Sequence, residues 1–387
     1  MRPLKVVGLI HTVQIFDMVL AILDQLYQDC KAGIAIVLDL NHFTQLSDID
    51  YLLRVSAEIA EHIWVVEGSY LQEKIEAFAP NVRLLKKIGG SPDAEVLAGL
   101  FKEKTYLIKS HGYMSSLALQ CVAHCRTSGA HVLAMLEGQY PPGSSIPVTY
   151  MNPAAGRYID TFLVSSRSHI PPLKEIYDIH YAVTGYPKAY PAWTDRAKRE
   201  AKNITTTKKI GRRPVISVFT RGEAKCDRQH LMPNNHLKKI LTDVLNALPI
   251  HYPDCLIYVK PHPYQDLALT RRLVRGYGNA KIVFDHPSVL TVMSNLVIAT
   301  FSTTIVEAVC LGIPAIEYFI PNEYFYSAYP QGSHFRQMGV MWCENESGLM
   351  RCLEKTSSKA FCPNYALPNT LGDHVSTLHD QFQSELT

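Results

Sequence analysis

Short, wholly apolar runs recur along this chain, separated by segments with the apolar period of a helix. That alternation constrains the fold more than any other feature. A strand buried on one face alternates apolar with polar residues. A strand covered on both faces is apolar throughout, as in a parallel sheet flanked by helices. The first half gives such strands at 5–11, 33–40, 63–66, 105–110 and 131–136, with helices at 14–30, 47–61, 92–102 and 114–127. Two more runs, 162–165 and 181–184, complete it before Gly185-Tyr186-Pro187 stops the chain. The pattern then restarts. Strands are expected at 215–219, 256–259, 281–284, 296–299 and 314–318, and helices near 235–247, 267–276, 287–293, 304–311 and 346–355. The spacing predicts an α/β protein with two doubly wound, Rossmann-like parallel sheets.

A length of 387 residues suits two domains. The expected division is 1–190, then 214–360, joined by a polar, basic stretch at 191–213 that reads as a linker or a solvated helix. A last segment, 361–387, is expected to return to the first domain. The net charge of +3 lacks the large basic excess of a nucleic-acid protein. No apolar stretch is long enough to span a bilayer, and Met1-Arg2-Pro3-Leu4-Lys5 runs into a strand without a signal peptide. Nine cysteines, odd in number and without a CxxC pair, suit a reducing cytoplasm rather than disulfides or zinc. Cys121 and Cys125 lie at helical spacing and read as buried thiols. The basic residues of 196–213 can touch anionic lipid, which allows a peripheral inner-membrane contact.

In open α/β sheets, ligands sit beyond the carboxyl ends of the strands. With two sheets face to face, the cleft between them is the expected meeting place of two substrates. Lys260-Pro261-His262-Pro263 follows one strand, and the prolines restrict the backbone on both sides of the imidazole. Ser302-Thr303-Thr304 follows another and opens a helix. A hydroxyl there can serve as a cap, and Glu307, three residues past Thr304, fits a capping box. The alternative is that surplus hydroxyls bond phosphate oxygens at the helix start and Glu307 accepts from a ribose hydroxyl. A third loop holds Arg221, whose fork suits a phosphate or a carboxylate, and Gly222, which lets backbone come close. Asp227 lies in the same loop and can face a donor's anomeric carbon.

In the first half, Glu137 follows a strand and precedes Gly138 and two prolines, an arrangement suited to a general base. His111 ends the strand before it and is a second candidate to serve as base or contact an acceptor. His11 ends the first strand in the same way.

The motifs KPHP and S-T-T-x-x-E-A, followed by Gly312-Ile313-Pro314, resemble the nucleotide-binding half of GT-B glycosyltransferases. They are most similar to bacterial sialyltransferases and Kdo transferases, which use CMP-sugars. CDP-glycerol phosphotransferases and UDP-N-acetylglucosamine 2-epimerases look similar too. The motif likeness covers about 215–345. It implies that His262, Pro263, Ser302 and Thr303 hold the phosphate and cytidine of the donor; the residues themselves add Lys260, Thr304 and Glu307 as donor-side candidates. Bacterial sialyltransferases carry two acids before the glycine, whereas here Glu137 alone precedes Gly138. The resemblance implies a cytoplasmic glycosyltransferase that moves an acidic sugar, Kdo above all, from a CMP donor onto a glycan acceptor, lipid-linked or not. No metal is required, because basic and hydroxyl groups can neutralise the leaving phosphate, and no DxD pair stands at a strand end. An inverting enzyme needs only a base, Glu137 or His111. A retaining one uses Asp227 as nucleophile and Glu137 as acid and base. A UDP-sugar transferase or 2-epimerase, and a non-catalytic glycan-binding protein, are the alternatives.

Overall fold

A computed structural model describes residues 4–40, 47–67, 81–88, 91–101, 105–112, 114–136, 151–222, 233–263, 265, 267–321, 333–358, 361–363 and 365. The chain divides into two compact units, with the boundary between Trp193 and Thr194. That boundary falls in the first turn of a helix, Pro191–Thr207, where the sequence suggests a linker or a solvated helix. Trp193 is fully buried, its ring meeting Tyr51 edge-on at 5.7 Å, which ties the start of this helix to the first unit.

The strands of the first unit are β1 (Lys5–Ile10), β2 (Gly33–Leu38), β3 (His62–Val66), β4 (Val82–Leu85), β5 (Lys87–Ile88), β6 (Ser91–Pro92), β7 (Thr105–Ser110), β8 (His131–Met135), β9 (Thr161–Val164) and β10 (His180–Val183). Eight of them form a sheet in the order β10-β9-β8-β7-β1-β2-β3-β4, all parallel, while β5 and β6 make a small antiparallel pair. The chain builds outward from β1 in one direction and then, from β7, in the other. One sheet face places Val7, Leu9, Val37, Leu107 and Val132 against Leu117, Cys121 and Cys125 of the helix Ser116–Thr127. Burial pushes the Cys121 thiol up to about 12, as expected of an inert core cysteine. The Ser115 hydroxyl caps that helix by accepting from the Ala118 N–H at 3.2 Å.

In the second unit, β11 (Val215–Thr220), β12 (Leu256–Pro261), β13 (Ala280–Ile282), β14 (Leu296–Ala299), β15 (Ala315–Tyr318) and β16 (Met341–Cys343) form a parallel sheet ordered β13-β12-β11-β14-β15-β16. Counted within the unit this is 3-2-1-4-5-6, the Rossmann order. Ile216, Val218, Ile257, Val259, Ile298 and Ile316 share a core with Leu241 and Leu245 of the helix Asn234–His251 and with Leu349 and Leu353 of the helix Glu346–Ser357. Among the strands that apolar runs do not reveal, β4 and β16 are sheet edges. An edge strand is covered on fewer sides, so it tolerates Arg83 and the half-exposed Trp342 and shows no apolar run.

Candidate functional site

In the second unit the order of strands reverses at β11, whose neighbours are β12 and β14. A ligand is expected beyond the carboxyl ends at such a switch point. Three loops end there side by side: Arg221-Gly222 after β11, His262-Pro263 after β12, and Phe301 to Thr304 after β14. The two separate motifs therefore flank one loop, and Arg221 joins them. Its Nη1 donates to the Phe301 carbonyl at 3.2 Å. On the other side, the His262 N–H donates to the Thr220 carbonyl at 3.1 Å.

The β12 strand runs two residues further than its apolar run, with Lys260 and Pro261 paired to Phe219 and Thr220. Lys260 is only 3% exposed, and its ammonium lies 5.9 Å above the centre of the Phe284 ring. Burial first, then the charges of Arg221 and Lys260, drive the His262 imidazole down to about 3. The ring is therefore neutral at physiological pH and offers one N–H donor and one acceptor. Arg221 and Lys260 thus both stand close enough to act on the His262 ring.

The corner after β14 departs from a simple helix cap. Phe301 adopts a left-handed backbone, φ 45°, which costs a non-glycine residue about 1 kcal/mol or more. Its ring packs on Phe319 at 5.4 Å, and Arg221 holds its carbonyl. The helix that follows, Thr304–Cys310, has seven residues, so its macrodipole is small. What the corner supplies is its hydroxyls. Ser302 Oγ and Thr304 Oγ1 lie 2.8 Å apart and bond to each other, while the Thr303 side chain makes no capping bond and is exposed. Glu307 does not close a capping box. It is 2% exposed, and its Oε2 accepts from Ser288 Oγ at 2.6 Å. His286, by contrast, caps the helix Pro287–Met293, its Nδ1 accepting from the Ser288 N–H at 3.3 Å.

Gly222 has a concrete packing reason. A Cβ there would lie 2.7 Å from Leu237 Cδ2 and 3.1 Å from Gln265 Cγ. What the glycine admits is a neighbouring side chain rather than a ligand alone. Gln265 and Phe301 are the two site residues that motif reading misses. Neither belongs to a residue type that signals phosphate chemistry.

In the first unit, β1 and β7 are neighbours at the corresponding reversal, so His11 and His111 follow adjacent strands. The His111 N–H donates to the Met135 carbonyl at 3.0 Å, and its ring lies 5.8 Å from that of Phe162. Glu137 and Asp227 lie outside the described residues, as does nearly all of 361–387. Among the described residues, no group of three or more His, Cys, Asp and Glu side chains could hold a metal ion. No helix among them is long and apolar enough to cross a membrane.

No protein-family model matches the chain, and no curated protein matches its sequence. Solved structures do match its fold. A UDP-GlcNAc 2-epimerase from Methanocaldococcus jannaschii, in complex with UDP-GlcNAc and UDP, aligns with a TM-score of 0.58 at 13% identity, covering 99% of this chain and 100% of the other. A UDP-N-acetylglucosamine 2-epimerase from Rickettsia bellii aligns with a TM-score of 0.56 at 11% identity, covering 100% and 96%. The wall teichoic acid polymerase TagF aligns with a TM-score of 0.54 at 11% identity, covering 100% and 91%. The chain therefore has an α/β fold with two parallel-sheet domains, like these GT-B-like proteins.

Proposed function

We propose that this protein is a glycosyltransferase that moves an acidic sugar, Kdo in the sharpest form, from a CMP-activated donor onto a surface-polysaccharide or lipid-linked glycan. The observation that carries a nucleotide-sugar role is the meeting of Arg221, Lys260 and His262 beside the Ser302–Thr304 hydroxyls at the switch point of a Rossmann-ordered sheet. In this reading the bond between the anomeric carbon and the donor's phosphate oxygen breaks as the acceptor oxygen bonds to that carbon. The leaving phosphate is held by the two cations, the neutral imidazole N–H and the exposed Thr303 hydroxyl. The acceptor proton goes to a base, Glu137 by preference or His111. If configuration is retained, Asp227 is the intermediate's nucleophile and Glu137 serves as acid, then base. The CMP-Kdo donor rests on the KPHP and S-T-T-x-x-E-A likeness.

A second reading is favoured by the fold. Two of the similar structures are UDP-GlcNAc 2-epimerases, so an enzyme acting on a UDP-sugar, by transfer or by epimerisation without an acceptor, is the alternative. Incubation with CMP-, UDP- and GDP-sugars separates the two. Consumption of CMP-Kdo or another CMP-sugar is expected, with no UDP-GlcNAc converted to its 2-epimer; the reverse pattern replaces the first reading with the second. Calorimetry is expected to show CMP binding to wild type that falls at least tenfold in His262→Ala. Equal binding by both proteins would remove His262 from the site. Glycan binding with no nucleotide binding would instead mark a non-catalytic protein. Glu137→Gln is expected to bind CMP normally and lose turnover, and full activity in that variant would exclude it as the base.

A further inference from the structure

Gln265 stands two residues beyond Pro263 and is 3% exposed. Its Oε1 accepts from Thr220 Oγ1 at 3.0 Å, from the Gly222 N–H at 3.1 Å and from the His262 N–H at 3.4 Å. These donors come from the end of β11, the loop after it and the loop after β12. Its Nε2 donates to Thr270 Oγ1 at 2.7 Å, on the fully buried side of the helix Leu267–Val274. The orientation of the carboxamide is fixed by chemistry, because two of its partners are backbone N–H groups that can only donate. Its own backbone N–H donates to the His262 carbonyl at 2.9 Å, closing a tight turn. The absence of a Cβ at Gly222 lets the side chain seat directly against the loop it holds.

We infer that Gln265 is a positioning residue: its one carboxamide oxygen locks the Arg221-Gly222 turn to the Pro261-His262-Pro263 turn, so that Arg221 and His262 face an anion at a fixed spacing. Loss of the acceptor leaves the His262 N–H its 3.1 Å bond to the Thr220 carbonyl and releases the Gly222 N–H and the Thr220 hydroxyl, the buried donors that tie the Arg221 side to Gln265. The inference rests on the phosphate reading of this site, although the bonds themselves do not depend on any ligand. Arg221 is the charge whose distance from the His262 ring the lock sets, since Lys260 lies on the same strand as His262.

The test uses Gln265→Leu in the full chain, which keeps the bulk and removes the acceptor. A second variant, Thr270→Val, frees only the far end of the carboxamide and guards against a folding failure of the first. Three quantities are read: the melting curve, the affinities for CMP and for cytidine, and the pH titration of the His262 ring by NMR. Gln265→Leu is expected to melt cooperatively, to bind CMP about tenfold more weakly with cytidine unchanged, and to show a His262 ring that titrates nearer to an ordinary histidine. Thr270→Val is expected to move the same readings in the same direction by about threefold in affinity. Equal losses for CMP and cytidine with an unmoved His262 titration would reduce Gln265 to general packing and overturn the inference. So would variants that match wild type in both readings. If wild type itself binds neither CMP nor UMP, the proposed function fails, and the melting curves together with the His262 titration still decide whether the lock exists.

Discussion

Arg221→Met is expected to weaken CMP and UMP binding about a hundredfold, or about 2.7 kcal/mol, while the second unit stays folded. The size follows from where Arg221 stands. Its loop lies between the two motif corners, one limb of its fork is spent on the Phe301 carbonyl, and its charge acts on the His262 ring. Removing one partner of a buried charged hydrogen bond commonly costs about 2 to 5 kcal/mol, and the half-buried Arg221 belongs at the low end of that range. Arg221→Lys keeps the charge and loses the planar fork, so it should recover only part of the loss. The Phe301 corner should loosen in both variants, because a lysine ammonium cannot reproduce the fork that reaches both carbonyl and anion. Calorimetry at two salt concentrations checks this. Unchanged affinity in Arg221→Met would place the phosphate elsewhere.

The second large effect concerns stability. Glu317 on β15 is 1% exposed, and among the described residues neither carboxylate oxygen has a hydrogen bond of ordinary geometry. Burial pushes its carboxyl up to about 7, with Ser333 and the Arg336 charge drawing it only partway back. Arg336 is engaged by Glu344 at 3.3 Å and by the Trp342 ring at 3.5 Å, so its charge acts on Glu317 only in part. A folded carboxyl that titrates near 7 holds a proton that the unfolded chain gives up near 4.5. Between those values the folded state binds more protons, so its stability falls as pH rises from about 4.5 through about 7. Glu317→Gln removes that slope. Above pH 7 the variant should be more stable by about 3 kcal/mol, which for a unit of this size raises Tm by roughly 6–12 °C. At pH 4 the two proteins should melt together. Parallel melting curves across the whole range would show that Glu317 is ionised in the fold without penalty.

Some of this molecule is legible in its residues. The interior strands β1, β2, β7, β8, β11, β12 and β14 carry apolar side chains on both faces because helices cover both sides, and that leaves an unbroken run in the sequence. The edge strands β4 and β16 leave none. The basic and hydroxyl residues of the site were readable as residue types at strand ends, since phosphate chemistry requires such groups. Phe301 was not, because nothing in a phenylalanine announces a left-handed backbone; in the fold that conformation stands with the Phe319 ring contact and the Arg221 bond to its carbonyl. Glu307 was readable as a cap or a ribose acceptor; that its Oε2 accepts from Ser288, on another helix, was not.

The sequence by itself determined the alternation of strand and helix, the two-sheet α/β class and the chemical types at the strand ends, because each depends on local periodicity and residue chemistry. Only the tertiary structure decided that β11 lies between β12 and β14, and hence that the strand ends carrying Lys260, His262, Arg221 and Ser302 stand side by side. It alone also decided that Gln265 ties their loops together. Strand order is fixed by which packing of a distant pair buries the most apolar surface while pairing every backbone group. No window of neighbouring residues contains that comparison.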